Sequence, residues 1–404
     1  MALPELLFPV LKNSDSTHRS DSLQRRYQLH QQPTKEVGAK RPNTSMQKTT
    51  LLFKILGLLT VGALSLALTA CGGGGGAGGS GIGGNSGGTS LGGGGTNGGQ
   101  ADEDTASTIV TSVPASSYAT GSEEAEAFEY LNAERSTCGF GKVAQNAKLD
   151  VSATGHANYL ISNNRGGHYQ DPSEPGYTGN SPGDRATSAG YAYSVIGDDN
   201  VDIFGRASIA GLGADSIQQL LSAPYHAASM LSGVREVGIK LLSSDTAGTT
   251  ATFGPRAIAE YAIGVASDVK PQLPAKSDVL TYPCDGSTAT AYQLVGESPN
   301  PIPGRDLGAN PIGQPLYVMV REGHTVAITS AVLVKASDNS PVTLRPTMTA
   351  ANDPQQHLEG NNIAILMPDA ALLPNTSYSY TVSGTNDGVP FTRSATFKTK
   401  TGPI

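Results

Sequence analysis

Hydrophobic and polar positions divide the chain into stretches of different texture. A continuous apolar run over residues 55–70 stands between a polar first segment and a tract of glycine. Amphipathic patterning begins later, where Ala127, Phe128 and Leu131 share one face of a predicted helix. The pattern therefore predicts globular structure only from about residue 121 onward.

The first patterned region, residues 121–268, mixes helices and strands. After the first helix we predict a helix with Leu149, Ala153 and Leu160 on one face, long Gly- and Asp-rich loops over 163–213, a short helix over 215–221, and strands over 237–241 and 257–265. Helices and strands do not alternate regularly, so the pattern favours an α+β fold over a doubly wound parallel sheet.

The texture changes again toward the C-terminus. Residues 269–283 contain three prolines and are predicted to form an extended linker. Short β-rich runs separated by Gly, Pro, Asn and Asp turns fill residues 284–404. Such spacing is typical of a small antiparallel sandwich, so we predict an all-β C-terminal region.

Composition sharpens this division of the chain. Of the 50 glycines, 18 lie within residues 71–100, where almost no side chain can be buried. We therefore predict that residues 71–120, including their Ser- and Thr-rich continuation, form a flexible tether. The chain carries a net charge of −7, which becomes −12 when residues 1–70 are set aside. A surface this acidic argues against nucleic acid as a partner.

The apolar run before the glycine tract has the proportions of a secretory signal. Lys48 and Lys54 lie on its N-terminal side, and the run is shorter than the roughly 20 residues of a membrane-spanning helix. It closes with Leu68-Thr69-Ala70-Cys71, which resembles the lipobox of bacterial lipoproteins. The resemblance implies a signal peptide over residues 46–70 and lipidation of Cys71. An uncleaved membrane anchor is the alternative.

Two further expectations follow from the lipoprotein resemblance. Residues 1–45 are polar and do not fit a signal, so translation starts at Met46 or residues 1–45 form a cytoplasmic extension. Gly72 after the lipidated cysteine resembles the sorting signal for the outer membrane of Gram-negative bacteria. We therefore predict an outer-membrane lipoprotein of the cell envelope, attached to the membrane through acyl chains.

Residues 123–266 resemble a CAP domain, the superfamily of cysteine-rich secretory and pathogenesis-related proteins (SCP-like), in its bacterial form. Five motifs carry the resemblance in the correct order: Leu131-Asn132-Ala133-Glu134-Arg135, the helix with Leu149, Ala153, His156-Ala157 and Leu160, His168 followed by Arg185 and Gly190-Tyr191, Ala223-Pro224-Tyr225-His226, and Val237-Gly238-Ile239. The resemblance implies an α/β/α sandwich.

The CAP resemblance also implies a cavity with two histidines and two acidic residues. The matching histidines are His168 and His226, and Asp199 stands where the family has its first Glu. Neutral imidazoles are good ligands for a divalent metal such as zinc. The second Glu has no evident match, so a metal site and a hydrogen-bonded structural pair of histidines both stay open.

Other residues of the pattern are predicted to be structural. Asn132 and Arg135 belong to the first helix, and Arg185 is predicted to tie down the long loop through a salt bridge. With Cys71 assigned to lipid, Cys138 and Cys284 remain for a disulfide. It would join residues 121–268, which we call the CAP region, to residues 284–404, which we call the C-terminal region. An exported compartment permits such a bond, and two free thiols are the alternative.

The C-terminal region resembles a bacterial immunoglobulin-like or fibronectin-type domain, through Leu373-Pro374-Asn375-Thr376-Ser377-Tyr378 and the run that follows. Three functions remain open. The favoured one is a tethered module that binds an apolar or lipid-like small ligand or a surface protein. The alternatives are an envelope spacer or adhesin, and a hydrolase of peptide or cell-wall bonds that uses His168 and His226. The sequence offers no obvious nucleophile, so a non-catalytic role is favoured.

Overall fold

The structure is a computed structural model that describes residues 105–248 and 253–402. The predicted extension, the signal peptide, Cys71 and most of the tether lie outside these residues. The described helices are α1 Glu123–Thr137, α2 Ala147–Asn163, α3 Pro182–Ser188, α4 Leu212–Ser222, α5 Pro224–Met230 and α6 Ser244–Ala247. None of them is long and apolar enough to cross a membrane.

The strands form three sheets. They are β1 Ala144–Gln145, β2 Tyr193–Phe204, β3 Glu236–Ser243, β4 Arg256–Ala266, β5 Leu280–Tyr282, β6 Leu316–Met319, β7 Val326–Lys335, β8 Ile363–Leu366, β9 Ser377–Asn386 and β10 Val389–Lys398. A four-stranded mixed sheet has the order β1-β3-β4-β2, and two three-stranded antiparallel sheets have the orders β10-β9-β7 and β5-β6-β8. The α+β prediction is confirmed.

Both faces of the mixed sheet are covered by helices. On β3, Val237 and Ile239 belong to the same hydrophobic core as Leu131 of α1, while Leu242 packs with Leu160 of α2 on the opposite face. The intervening Gly238 allows α2 to lie directly on the sheet, because a Cβ atom there would stand 2.0 Å from the Leu149 carbonyl carbon. This gives the α/β/α arrangement that the CAP resemblance implies.

The long loops predicted over residues 163–213 are partly wrong. This stretch contains α3 and the 12-residue strand β2, which pairs with β4 along its full length. The strand was missed because its sequence, YSVIGDDNVDIF, is interrupted by acidic residues that normally disfavour strands. Those acidic residues have buried basic partners, so tertiary contacts override the local propensity.

One of the two C-terminal sheets shares a core with the helical region. Between the two sheets lie Val318, Leu366 and Phe397, as expected for a β-sandwich. The other face of the β5-β6-β8 sheet contributes Tyr317 and Ile365 to the same core as α1 and α4. Because one sheet is buried on both faces, the C-terminal region is docked against the CAP region over a continuous apolar surface.

The segments on either side of the predicted domains are also bound to this body. Thr108, within the predicted tether, donates its backbone N–H to Leu273 O at 2.8 Å. Within the predicted linker, Gln272 is 2% exposed and donates to Lys142 O and Val234 O. Residues 105–110 therefore lie beside residues 271–276 along the body.

Candidate functional site

The site is organised by two consecutive acidic residues of the edge strand β2. Successive side chains of a strand point to opposite faces, so Asp198 and Asp199 emerge on different sides of the sheet. Asp198 accepts a hydrogen bond from His168 Nδ1 at 2.8 Å, and Asp199 accepts one from His226 Nδ1 at 2.6 Å. The two imidazole rings lie 6.2 Å apart, centroid to centroid. The predicted trio of His168, His226 and Asp199 is therefore brought together.

Each histidine is oriented through its Nδ1 atom. Burial by itself lowers the pKa of His168, but the hydrogen bond to Asp198 and the charges of Asp198 and Asp199 together raise it above its ordinary value. Burial likewise lowers the pKa of His226, but the hydrogen bond to Asp199 and the charge of Asp199 outweigh it and raise the pKa above its ordinary value. In the described part of the chain, neither Nε2 atom makes a hydrogen bond. The two Nε2 atoms are thus the groups left to meet a ligand.

The histidine pair stands between two cavities. The first has a volume of about 650 Å³ and is lined by apolar side chains, among them Phe140, Leu231 and Leu280. The second, of about 600 Å³, has a mixed lining, in which polar side chains such as Asn164 and Gln219 stand beside apolar ones such as Phe204 and Leu220. We call them the apolar cleft and the polar cleft. His168 and His226 line both, so a ligand in either cleft reaches the rings.

Beneath His168 lies a buried polar network that sequence reasoning did not assemble. Arg185 donates to Asp198 Oδ2 and to the backbone oxygen of His168, which confirms its predicted salt bridge. His156 is fully buried, accepts a hydrogen bond from Gln170 at Nδ1 and is bonded to Gly167 O at Nε2. Burial and the nearby Arg185 lower the pKa of His156 to about 4.

This network contains the one cluster of potential metal ligands found among the described residues, His156, Asp198 and Glu260. Both ring nitrogens of His156 are already hydrogen-bonded, and the Asp198 carboxylate is already paired with the Arg185 guanidinium. Burial and the adjacent Asp198 hold the pKa of Glu260 well above its usual range, which disfavours the ionised form that a cation would need. The cluster does not suit a cation.

The histidine pair itself does not fit a resident metal either. Both Nδ1 atoms are bonded to carboxylates, as is usual for histidines that bind a metal through Nε2. Catalytic zinc sites use three protein ligands, however, and no third acidic or histidine side chain joins the pair in a compact cluster within the described residues. The pair supplies two ligands only, so we derive no chemistry from a bound metal.

The C-terminal region contributes residues to this site that carried no local sequence signal. Glu297 accepts hydrogen bonds from the backbone N–H groups of Tyr225 and His226, at 2.7 and 3.4 Å. Burial raises the pKa of Glu297 to about 7. Asp353 accepts a hydrogen bond from the Tyr225 hydroxyl at 2.5 Å, and the His357 ring lies tilted against the Tyr225 ring, with centroids 5.2 Å apart. No motif marks these residues, because they lie more than 70 positions from His226 in a different sheet region.

The remaining predicted residues hold the helical frame. Asn132 exchanges two hydrogen bonds with the backbone of Val143, at 2.8 and 3.0 Å. Arg135 is fully buried and donates to Gly141 O and to Met230 O, the last residue of α5. The predicted disulfide between Cys138 and Cys284 is present, with Cα atoms 5.3 Å apart. It joins the end of α1 to the segment that follows β5.

Comparison with known proteins finds a family match over part of the chain. Residues 128–253 match the family model described as the cysteine-rich secretory protein family, CAP. Among solved structures, the chain is similar to an extracellular protein containing an SCP domain from Bacillus anthracis, with 17% sequence identity and a TM-score of 0.26. That alignment covers 34% of this chain and 39% of the other. No curated protein matches the chain.

Proposed function

We propose, from the premise that residues 128–253 form a CAP domain, that this protein is an exported binding protein of the cell envelope. Its ligand lies in the apolar cleft and presents a polar group to the Nε2 atoms of His168 and His226. The apolar lining calls for a ligand with a hydrocarbon portion, and the two imidazoles call for a group that accepts or donates hydrogen bonds.

One observation carries the proposal. Two histidines are held side by side through their Nδ1 atoms, at 2.8 and 2.6 Å from buried carboxylates, where an apolar and a polar cleft meet. Orienting polar groups toward a mainly apolar pocket is how small-molecule sites combine affinity with specificity. A purely structural pair of histidines needs no such opening on two sides.

Export and anchoring belong to the same proposal. The lipobox-like sequence ending at Cys71 supports attachment to the outer membrane through acyl chains, with the described domains held beyond a glycine-rich tether. A disulfide between Cys138 and Cys284 supports an oxidising compartment, because cytosolic thiols are kept reduced. We place the protein at the periplasmic or outer face of the envelope.

The test is native mass spectrometry of the full chain, expressed with its own N-terminal region in a Gram-negative bacterium and purified from membranes. We expect a bound small molecule with a hydrocarbon portion and an acylated Cys71. The variant with His168→Gln and His226→Gln should lose the ligand, while His324→Gln, outside both clefts, should keep it. A metal retained stoichiometrically by the histidine pair, or equal ligand content in all three proteins, contradicts the proposal.

A further inference from the structure

The helix that carries His226 cannot complete its own N-terminus. The first four N–H groups of a helix lack partners within it and are usually satisfied by a capping side chain. In α5 the residue before the helix is Ala223, which has no side chain able to accept a hydrogen bond. Pro224 has no N–H, so Tyr225 and His226 are left with donors that α5 does not satisfy.

Glu297 satisfies both donors from outside the CAP region. Its Oε1 atom accepts from Tyr225 N at 2.7 Å and from His226 N at 3.4 Å. The carboxyl group is buried, with 5% of the residue exposed, so water does not compete for these hydrogen bonds. The next N–H along α5, that of Ala227, returns to the ordinary helical pattern by bonding Ala223 O at 2.8 Å.

Other contacts from the C-terminal region reach the same corner. The Tyr225 hydroxyl donates to Asp353, and Gln314 donates to Leu221 O at 2.9 Å, near the end of α4. The opposite end of α5 is held by Arg135, through Met230 O. The N-terminal half of α5, which includes His226, is therefore attached to the C-terminal region.

We infer that Glu297 is a positioning residue: it completes the helix that carries His226, so the C-terminal region sets the orientation of one of the two site histidines. His168 needs no such help, because Asp198 and Arg185 hold it from within the CAP region. The importance of this arrangement for ligand binding rests on the proposed function. The positioning itself does not, and it is measurable without a ligand.

The experiment is residue-resolved hydrogen exchange on the full chain. Wild-type protein should protect the amides of Tyr225 and His226, which an uncapped helix leaves free to exchange. Glu297→Met keeps the side-chain volume and removes the acceptor, so exchange of these two amides should accelerate about tenfold or more. Glu297→Gln keeps an acceptor oxygen at the same reach and should restore protection, while amides of α2 stay unchanged in both variants.

Three results overturn the inference. The first is free exchange of both amides in wild-type protein, which needs no variant to be folded. The second is unchanged protection in Glu297→Met, and the third is faster exchange spread equally over α2 and α5.

Loss of bound ligand in Glu297→Met with normal exchange would instead assign Glu297 to ligand contact. Normal ligand content with accelerated exchange would keep the positioning role and count against the proposed function.

Discussion

His168 and His226 have the same local arrangement but are supported by different regions of the molecule. Each donates Nδ1–H to an aspartate of β2 and leaves Nε2 toward the clefts. Behind His168 stand Asp198 and Arg185, all within the CAP region. Behind His226 stand Asp199 and, through the helix end, Glu297 and Asp353 of the C-terminal region.

The difference indicates what the C-terminal region does. A spacer would hang from the CAP region on a linker and leave the site unaffected. Here one of its sheets is buried on both faces, a disulfide joins it to α1, and its carboxylates reach the helix of His226. The surroundings of His168 therefore lie within the CAP region, whereas the helix of His226 also contacts the C-terminal region.

The largest effect should come from cutting the covalent link between the two regions. Replacing both Cys138 and Cys284 by serine opens a loop with a sequence separation of 146, which the chain-entropy model relates to about 5 kcal/mol of unfolding free energy. Chemical denaturation under non-reducing conditions measures it. A loss below about 1 kcal/mol would mean that the apolar interface alone holds the regions together.

The next effect isolates the support of His168. Arg185→Met leaves Asp198 buried without its cation, and breaking a buried ion pair in this way costs about 3–5 kcal/mol of unfolding free energy. The matched control is Arg165→Met, which removes an ion pair with Glu174 at the surface, where solvent weakens the interaction. Equal losses in the two variants, measured by denaturation, would remove the buried network from the account.

A third effect concerns pH. The pKa of His156 lies near 4 in the folded protein and near 6.5 when unfolded, so the unfolded chain takes up the proton first. Stability should therefore fall as the pH drops from 6.5 to 4, by about 3 kcal/mol from this group. In His156→Gln this part of the pH dependence should vanish. A stability profile parallel to that of wild type would contradict the assigned role of His156.

His168 should show the opposite sign. Its pKa is raised in the folded protein, so the pairing with Asp198 stabilises the fold fully below the unfolded pKa and is lost as the pH rises through the folded value. A titration of the two ring signals by NMR checks both directions at once. Both rings titrating at the ordinary histidine value would contradict the assigned environments.

The smallest effect tests a contact between the regions that does not reach His226. Lys400 of the C-terminal region bonds Asp215 at 2.9 Å and Gln218 at 2.8 Å on α4. Lys400→Ala should lower the unfolding free energy by about 1 kcal/mol or less. Exchange of the His226 amide should stay as in wild type, and an acceleration would mean that general loosening, rather than Glu297, controls α5.

Much of the frame could be predicted from the sequence, because its signals are local. The apolar spacing of α1 and α2 and the β-rich C-terminal runs depend on residues near each other in the chain. The placement of His168 and His226 in one cavity followed from the family resemblance instead. The disulfide followed from the assignment of Cys71 to lipid and from the exported compartment.

The missed features depend on contacts between distant residues. Strand β2 has unfavourable local propensity, and partners distant in the chain, among them Arg185, Arg256 and His226, make its aspartates acceptable in a sheet. Glu297 looks like any acidic residue in a loop until the fold brings it against Tyr225. The second family glutamate has no evident match in the sequence, and no local signal marks Glu297, which the fold brings to the backbone of His226 from 71 positions away.

The most direct test of the central claim is the reactivity of the two histidines toward diethyl pyrocarbonate, which acylates imidazole and is read residue by residue by mass spectrometry. In Glu297→Met the rate at His226 should rise about tenfold over wild type, while the rate at His168 stays the same. The exposed Glu129→Met serves as the control. Equal changes at both histidines, or none at His226, would contradict the claim that the C-terminal region positions His226.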